Sequence, residues 1–284
     1  MNRILIIGAT GNIGRQVVTQ LTAARVQVRA LVRKPDGACL PPQVEVVRGD
    51  LTCPETLDAC LAGMDTVFLV WTAPAAAVAP ALERIAKHAR RIVFLSAPLK
   101  TPHPFFQQPN PSRTQAEDIE RRIEASELEW TFLRPGIFAL NSRHFWGPQI
   151  RDGDVVRWPY LAAPTAPIDE QDIAAAAALT LTRDGHAGME YVLTGPESLS
   201  QHEQIATIGS VIGRPLRIEE VSPDEARRGC LKDLPESVAS KLLDAWAAAI
   251  GQPAYVTSTF RELTGRTPRT FRDWVTRNAA EFRA

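Results

Sequence analysis

The chain lacks much of what several protein classes require. Only four of its 284 residues are cysteine, at positions 39, 53, 60 and 230, and no two form a C-x-x-C pair. Thiols so scattered exclude a disulfide-stapled scaffold or a zinc framework and lead us to expect a reducing, cytoplasmic setting. The five histidines (His88, His103, His144, His186, His202) show no metal-ligand spacing, so no metal is expected. Formal net charge is zero, which leaves no electrostatic footprint for nucleic acid or an anionic membrane. No apolar run approaches the roughly 20 residues of a membrane helix. The opening MNRILIIGATG carries one cation and a short apolar stretch before its glycines, unlike a secretory signal. Tyrosine is scarce as well, with three in the chain, and that scarcity bears on the chemistry below.

What is present is a strand-helix alternation. Ile4–Ile7, Val26–Val32, Val44–Val47, Thr66–Val70, Ile92–Leu95 and Trp130–Leu133 are short apolar runs that predict buried strands. Helical spacing covers Asn12–Ala24, Glu55–Leu61, Ala76–Ala89 (interrupted by Pro80) and Ser112–Ser126. Between the last two lies a stretch from Pro98 to Pro111 with five prolines. Such repetition predicts a Rossmann-type, doubly wound parallel sheet. Beyond it the pattern is less regular. Val155–Trp158, Ala166–Ile168, Met189–Leu193 and Leu216–Val221 predict strands, and Asp169–Thr182, Ser200–Val211, Ser222 onward, Pro235–Ile250 and Pro268–Phe282 predict helices. Ser200/Glu203 and Ser222/Glu225 have the spacing of capping boxes. We therefore expect a cofactor domain over 1–150 and a smaller α+β substrate domain over 151–284.

Gly8-Ala-Thr10-Gly11-Asn12-Ile13-Gly14 joins the first strand to the first helix. Glycines there allow a tight turn, close backbone approach to a pyrophosphate and close helix–sheet packing, and the helix N-terminus offers unpaired N–H groups. A glycine pattern alone is equally a plain tight turn; its place between strand and helix favours dinucleotide binding. A site selective for NAD puts an acid at the end of the second strand. Here Arg33 and Lys34 stand instead, either as a receptor for the 2′-phosphate of NADPH or as a solvated loop. NADPH is expected, with NADH as the alternative.

The G-x-x-G-x-x-G spacing, Leu-Val-Arg33-Lys34-Pro, Gly49-Asp50-Leu51, Ile-Val-Phe-Leu-Ser96, Trp130-Thr-Phe-Leu-Arg-Pro135-Gly136 and Pro167-Ile-Asp169-Glu-Gln-Asp172 together resemble the NmrA-like branch of atypical short-chain dehydrogenases/reductases. The resemblance runs over nearly the whole chain. It implies that Asp50 and Leu51 flank the adenine, that Trp71 and Thr72 line the cofactor, that Ser96 lies near the nicotinamide, and that Pro135-Gly136 belongs to the same site.

Short-chain reductases that reduce carbonyls normally use a Tyr-x-x-x-Lys pair, the tyrosine giving the proton and the lysine lowering its pKa. Four residues beyond Tyr160, Tyr191 and Tyr255 stand Pro164, Gly195 and Thr259, so the pair is absent. Arg113 or Thr114 occupies the position where related reductases often carry His or Lys; an arginine is a clamp rather than an acid. Ser96 and His103 are the candidate catalytic residues, though a strand-end serine can equally satisfy backbone and a loop histidine can equally be exposed. A phenol on the substrate itself is a third proton source. Phe105, Phe106, Phe138, Asn141, Arg143, Trp146, Trp158 and Tyr160 are the candidate substrate residues, either as aromatic walls for a planar ligand or as core. The resemblance extends to actinobacterial enzymes that tailor aromatic polyketides, including angucyclinone ketoreductases. The expected function is thus an NADPH-dependent ketoreductase of a bulky aromatic polyketide in antibiotic biosynthesis, acting as a monomer on a small molecule. A quinone or azo reductase and a non-catalytic NADP-binding redox sensor are the alternatives.

Overall fold

A computed structural model describes residues 3–283. The chain divides into two compact units that interleave along the sequence. The first holds the chain up to Ala97, Pro111–Pro135 and Glu170–Val192; the second holds Pro98–Asn110, Gly136–Asp169 and the chain from Leu193. A single boundary near residue 150, as expected above, is therefore corrected: each unit takes segments from both sides of it. The second unit is also close to the first in length rather than a small appendage.

The first unit is a seven-stranded sheet. Its strands are β1 (Arg3–Ile7), β2 (Gln27–Val32), β3 (Glu45–Arg48), β4 (Thr66–Val70), β5 (Arg91–Leu95), β6 (Glu129–Pro135) and the Met189–Leu193 strand. They lie in the order β3-β2-β1-β4-β5-β6 with Met189–Leu193 last. Ile4 of β1 pairs in parallel with Val28 on one side and Thr66 on the other, so the order reverses between β1 and β4. Ligands of such sheets sit at this switch point, off the carboxyl ends of the strands. The middle strands read as unbroken apolar runs because both faces are covered: Ile4 to Ile7 are all at most 2% exposed.

The helices of this unit are α1 (Asn12–Ala23), α2 (Leu57–Leu61), α3 (Val78–His88), then, after the second unit's short α4 (Pro104–Gln107), α5 (Pro111–Glu124) and Glu170–Thr182. Pro80 does not break α3, because it lies in the first turn, where no intrahelical N–H bond is lost. Two elements expected in the C-terminal domain belong here instead. Glu170–Thr182 packs against α1, and its alanine-rich sequence permits a close approach; Gln20 Nε2 donates to the Gln171 carbonyl at 2.9 Å. The Met189–Leu193 strand extends the sheet beside β6, with Gly188 N–H on the Trp130 carbonyl at 2.8 Å.

The second unit is α+β. Val155–Trp158 pairs in parallel with Arg217–Glu220, and Pro164–Thr165 antiparallel with Leu199–Ser200. The strand expected over Ala166–Ile168 reduces to one bridge between Ile168 and Phe138. Both capping boxes form, at Ser200/Glu203 and Ser222/Glu225. The helix expected over Pro268–Phe282 is shorter: Thr270 and Asp273 make a third capping box, so it runs Phe271–Arg277, followed by a 3-10 turn at Ala279–Phe282. A helix at Thr259–Thr264 was not expected. The core centres on Trp158, whose ring lies 5.9 Å from Trp146, 5.4 Å from Trp246 and 5.5 Å from Phe145. Among the described residues no helix is long and apolar enough to cross a membrane.

Candidate cofactor and substrate sites

In the first unit β1 ends at Gly8, whose φ of +90° is the left-handed conformation that only glycine adopts at little cost. Its carbonyl accepts the Gly11 N–H at 3.0 Å, closing the turn. A side chain at Gly14 would put Cβ 2.1 Å from that same carbonyl oxygen, so the third glycine lets α1 sit directly on the turn. Gly11 is the N-cap of α1 without a side-chain cap, and the first turn carries no acid. The N–H groups at the start of the helix are thus left for an anion, and the helix dipole favours one. Arg15 braces the turn, donating from Nε to the Thr10 carbonyl at 2.8 Å and from a terminal nitrogen to the Cys39 carbonyl at 3.3 Å.

Around this turn the carboxyl ends of the strands place the other expected residues. Arg33 and Lys34, after β2, are exposed. Asp50, after β3, accepts the Thr52 N–H at 2.9 Å and the Thr52 hydroxyl at 2.8 Å. The backbone N–H of Thr52 foremost, then its hydroxyl and the Arg33 charge, hold the Asp50 carboxyl below its ordinary pKa despite some desolvation. Leu51 turns inward, 5% exposed, and packs in the sheet's core. After β4, Trp71 is half-buried with its N–H on the Ala73 carbonyl at 2.6 Å, and Thr72 is exposed. After β5, Ser96 binds its backbone N–H to the Leu133 carbonyl at 2.8 Å, yet its buried hydroxyl has no protein partner. The reading of Ser96 as a serine that merely satisfies backbone is thereby removed. Pro135, the last residue of β6, is buried.

Two cavities of the second unit hold expected substrate residues. One, with about 260 Å³ of empty space partly open to solvent, is lined by His103, Phe105, Phe106, Gly136, Tyr255 and their neighbours. Phe105 and Phe106 meet edge to face at 5.0 Å. His103 is not a free loop histidine: it is 6% exposed, its Nδ1 accepts the Phe105 N–H at 3.2 Å to cap α4, and its Nε2 lies 3.0 Å from the Pro253 carbonyl. Nε2 must carry the proton to donate there, so both ring nitrogens are committed to backbone. The other cavity is lined by Phe138, Asn141, Phe145 and Trp146 among others.

The family model described as NAD(P)H-binding matches residues 8–184. This chain belongs to the NAD(P)H-binding family. A (4-alkanoyl-5-oxo-2,5-dihydrofuran-3-yl)methyl phosphate reductase of Streptomyces griseus is 39% identical over 98% of this chain and 99% of that one. An NAD(P)H azoreductase of Xenophilus azovorans is 32% identical over 99% of both. The fold is shared with the triphenylmethane reductase of Citrobacter sp. complexed with NADP(H), at a TM-score of 0.82 and 20% identity over 97% of this chain and 99% of that one. It is shared also with an NmrA mutant, at 0.72 and 19% over 97% and 94%. The fold expected from the motifs is thus shared with NmrA, and the protein is an NADPH-dependent oxidoreductase.

The residues of this NAD(P)H-binding protein fit the dinucleotide on three structural counts: the left-handed Gly8, the uncapped start of α1, and the unpartnered hydroxyl of Ser96. The substrate candidates divide. Phe105 and Phe106 line the first cavity, and Phe138, Asn141 and Trp146 the second. Trp158, 0% exposed with its N–H on Gln201 Oε1 at 2.7 Å, is core. Tyr160, at φ +52°, packs against that core, and Arg143 pairs with Glu281 at 3.4 Å; neither lines either of these two cavities. Arg113 pairs with Glu117 along α5 at 3.4 Å. Tyr255, Ile137, Thr165 and Thr194 line the first cavity unforeseen. Their only sequence signal is a turn-rich Gly251-Gln-Pro253 ahead of Tyr255, which marks a loop but no destination.

Proposed function

We propose that this NADPH-dependent reductase saturates the ring C=C of a conjugated furanone, a (4-alkanoyl-5-oxo-2,5-dihydrofuran-3-yl)methyl phosphate or close analogue. The observation that carries the reading is the cavity's stock of titratable groups: a committed imidazole and Tyr255, which has no lysine four residues on. Reducing a ketone leaves an alkoxide that needs an acid. Reducing a C=C flanked by two carbonyls leaves an enolate spread over two oxygens, for which hydrogen-bond donors suffice. The full-length relative whose name describes such a ring supports it.

The Gly8–Gly14 turn and the start of α1 hold the pyrophosphate through backbone N–H groups. Arg33 and Lys34 take the 2′-phosphate, and the Ser96 hydroxyl donates to the reactive end of the cofactor. When bound, NADPH supplies a hydride, here to one alkene carbon. The Tyr255 hydroxyl donates to the enolate oxygen, and water delivers the proton to the other carbon.

The aromatic polyketide ketone is the second reading, favoured by the faces of Phe105 and Phe106. There the substrate's own phenol gives the proton. Quinones and azo dyes are conjugated acceptors of the same electronic kind. NADPH consumption measured with the furanone phosphate, a naphthoquinone, an azo dye and a polyaromatic ketone separates these readings. We expect kcat/KM for the furanone to lead by about tenfold or more, a difference of about 1.4 kcal/mol in transition-state binding. Preference for the polyaromatic ketone overturns the furanone assignment, and NADP⁺ binding with no turnover of any acceptor favours a sensor.

A further inference from the structure

Ile137 and Thr165 line both cavities of the second unit. The second cavity, about 360 Å³ counting its part open to solvent, is lined further by Phe138, Asn141, Trp146, Gln204, Leu242 and Trp246. Trp146 is 1% exposed, and its Nε1–H has no acceptor in the protein. That is unusual, because a buried indole N–H normally finds a partner and a buried donor without one carries its full desolvation cost. Its neighbour Trp158 shows the ordinary arrangement, donating to Gln201. Gln204, 4% exposed, cannot supply the missing acceptor by turning over. Its Nε2 already donates to Thr165 Oγ1 and to the Leu199 carbonyl, both at 2.9 Å. The cavity thus combines aromatic and aliphatic walls with the amides of Asn141, Gln201 and Gln204, the last two held by hydrogen bonds, and the unspent Trp146 donor.

We infer that this second cavity is a ligand subsite adjoining the first across Ile137 and Thr165, taking a short apolar arm that carries an oxygen acceptor, with Trp146 Nε1–H as the donor that reads it. The furanone reading enters only in saying which molecule brings the arm: its alkanoyl chain. Trp146 is then a specificity residue that separates an oxygen-bearing arm from a plain hydrocarbon one; on the furanone the oxygen it reads is the alkanoyl carbonyl, one of the two that share the enolate charge, while hydride and proton transfer stay with the first cavity.

The test uses the NADP⁺-loaded protein labelled at its indole nitrogens, with 2-hexanone and n-hexane as probes. Trp146→Phe assigns the Trp146 resonance by its loss among the six tryptophans. We expect that resonance to move saturably with 2-hexanone and not with n-hexane. Trp146→Phe should bind the ketone about tenfold more weakly, the scale of one buried hydrogen bond. Leu242→Trp, which fills the cavity from another wall, should abolish the shift while the remaining indole resonances hold their places. A Trp146 resonance unmoved by 2-hexanone, or ketone affinity unchanged in Trp146→Phe, overturns the subsite. Furanone turnover is read separately. A ketone-induced shift without furanone turnover keeps the subsite and rejects the furanone; turnover with KM indifferent to arm length and to Trp146→Phe does the reverse.

Discussion

At the scale of the residue, an unpaired hydroxyl and a committed imidazole distinguish between roles that the same side chains could equally play in a sequence. The buried Ser96 hydroxyl has no partner among the described residues, which supports the ligand role proposed for it. One neutral hydrogen bond is worth about 0.5–1.5 kcal/mol net. Ser96→Ala and Tyr255→Phe should therefore each lower kcat by about tenfold at most; a loss of about 10³-fold, the scale of a general acid, would show that one of them is the proton source. His103→Ala should instead lower stability by about 1–3 kcal/mol in denaturant titrations while kcat is retained, because two backbone partners lose their bonds. Arg33→Ala should raise the KM for NADPH by about tenfold and leave NADH unchanged, as loss of a charge-assisted phosphate bond would; equal effects on both cofactors would remove the 2′-phosphate role. Ser96 and Arg33, whose roles are proposed, stand out in the sequence because strand ends in this fold have fixed duties. Tyr255 was not, since a loop residue remote in sequence reaches the cavity only through tertiary packing. Trp158 misled for the opposite reason: an aromatic that lines a pocket and one that fills a core look alike in composition.

At the scale of the element, local chemistry was well encoded. The glycine turn is the clearest instance: Gly14→Ala would drive Cβ into the Gly8 carbonyl, so NADP⁺ binding should be lost together with a fall in the thermal midpoint. The capping boxes were legible at Ser200 and Ser222 from their spacing to a glutamate. The third, Thr270 to Asp273, went unread, and the helix was accordingly begun too early and run through Asn278. The Thr259–Thr264 helix closes on Gly265 at φ +70°, a stop signal without a strong start. The boxes also make stability depend on acid. The Ser200 hydroxyl, then the Ser200 N–H, hold the Glu203 carboxyl below its ordinary 4.5, and Ser222 does the same for Glu225. A carboxyl depressed on folding stabilises the protein above its unfolded pKa, and that contribution fades as pH falls through the lower folded value. The boxes' own contribution to the thermal midpoint should thus be nearly constant from about pH 7 to about pH 5 and decline below the ordinary glutamate value. Ser200→Ala should cost about 1 kcal/mol at neutral pH and make the acid decline shallower.

At the scale of the whole molecule, the sheet was readable because strands buried on both faces leave unbroken apolar runs. The partition of the chain was not. Glu170–Thr182 and Met189–Leu193 follow the expected boundary in sequence yet join the first unit, since covalent order does not say which helix an alanine face will pack on or which strand edge lies open. Function was legible to a similar depth. The dinucleotide followed from the turn and from the cations after β2, and the missing Tyr-x-x-x-Lys pair narrowed the chemistry without naming an acceptor. That absence, set beside the residues of the first cavity, is what turns the proposal from ketone reduction toward conjugate reduction. The direct test is to reduce the alkanoyl-furanone phosphate with NADPH carrying deuterium at its transferable position and to locate the label in the product. Deuterium on the ring carbon that bears the phosphomethyl group, with both carbonyls intact, is the predicted result; deuterium on a new carbinol carbon would contradict the account.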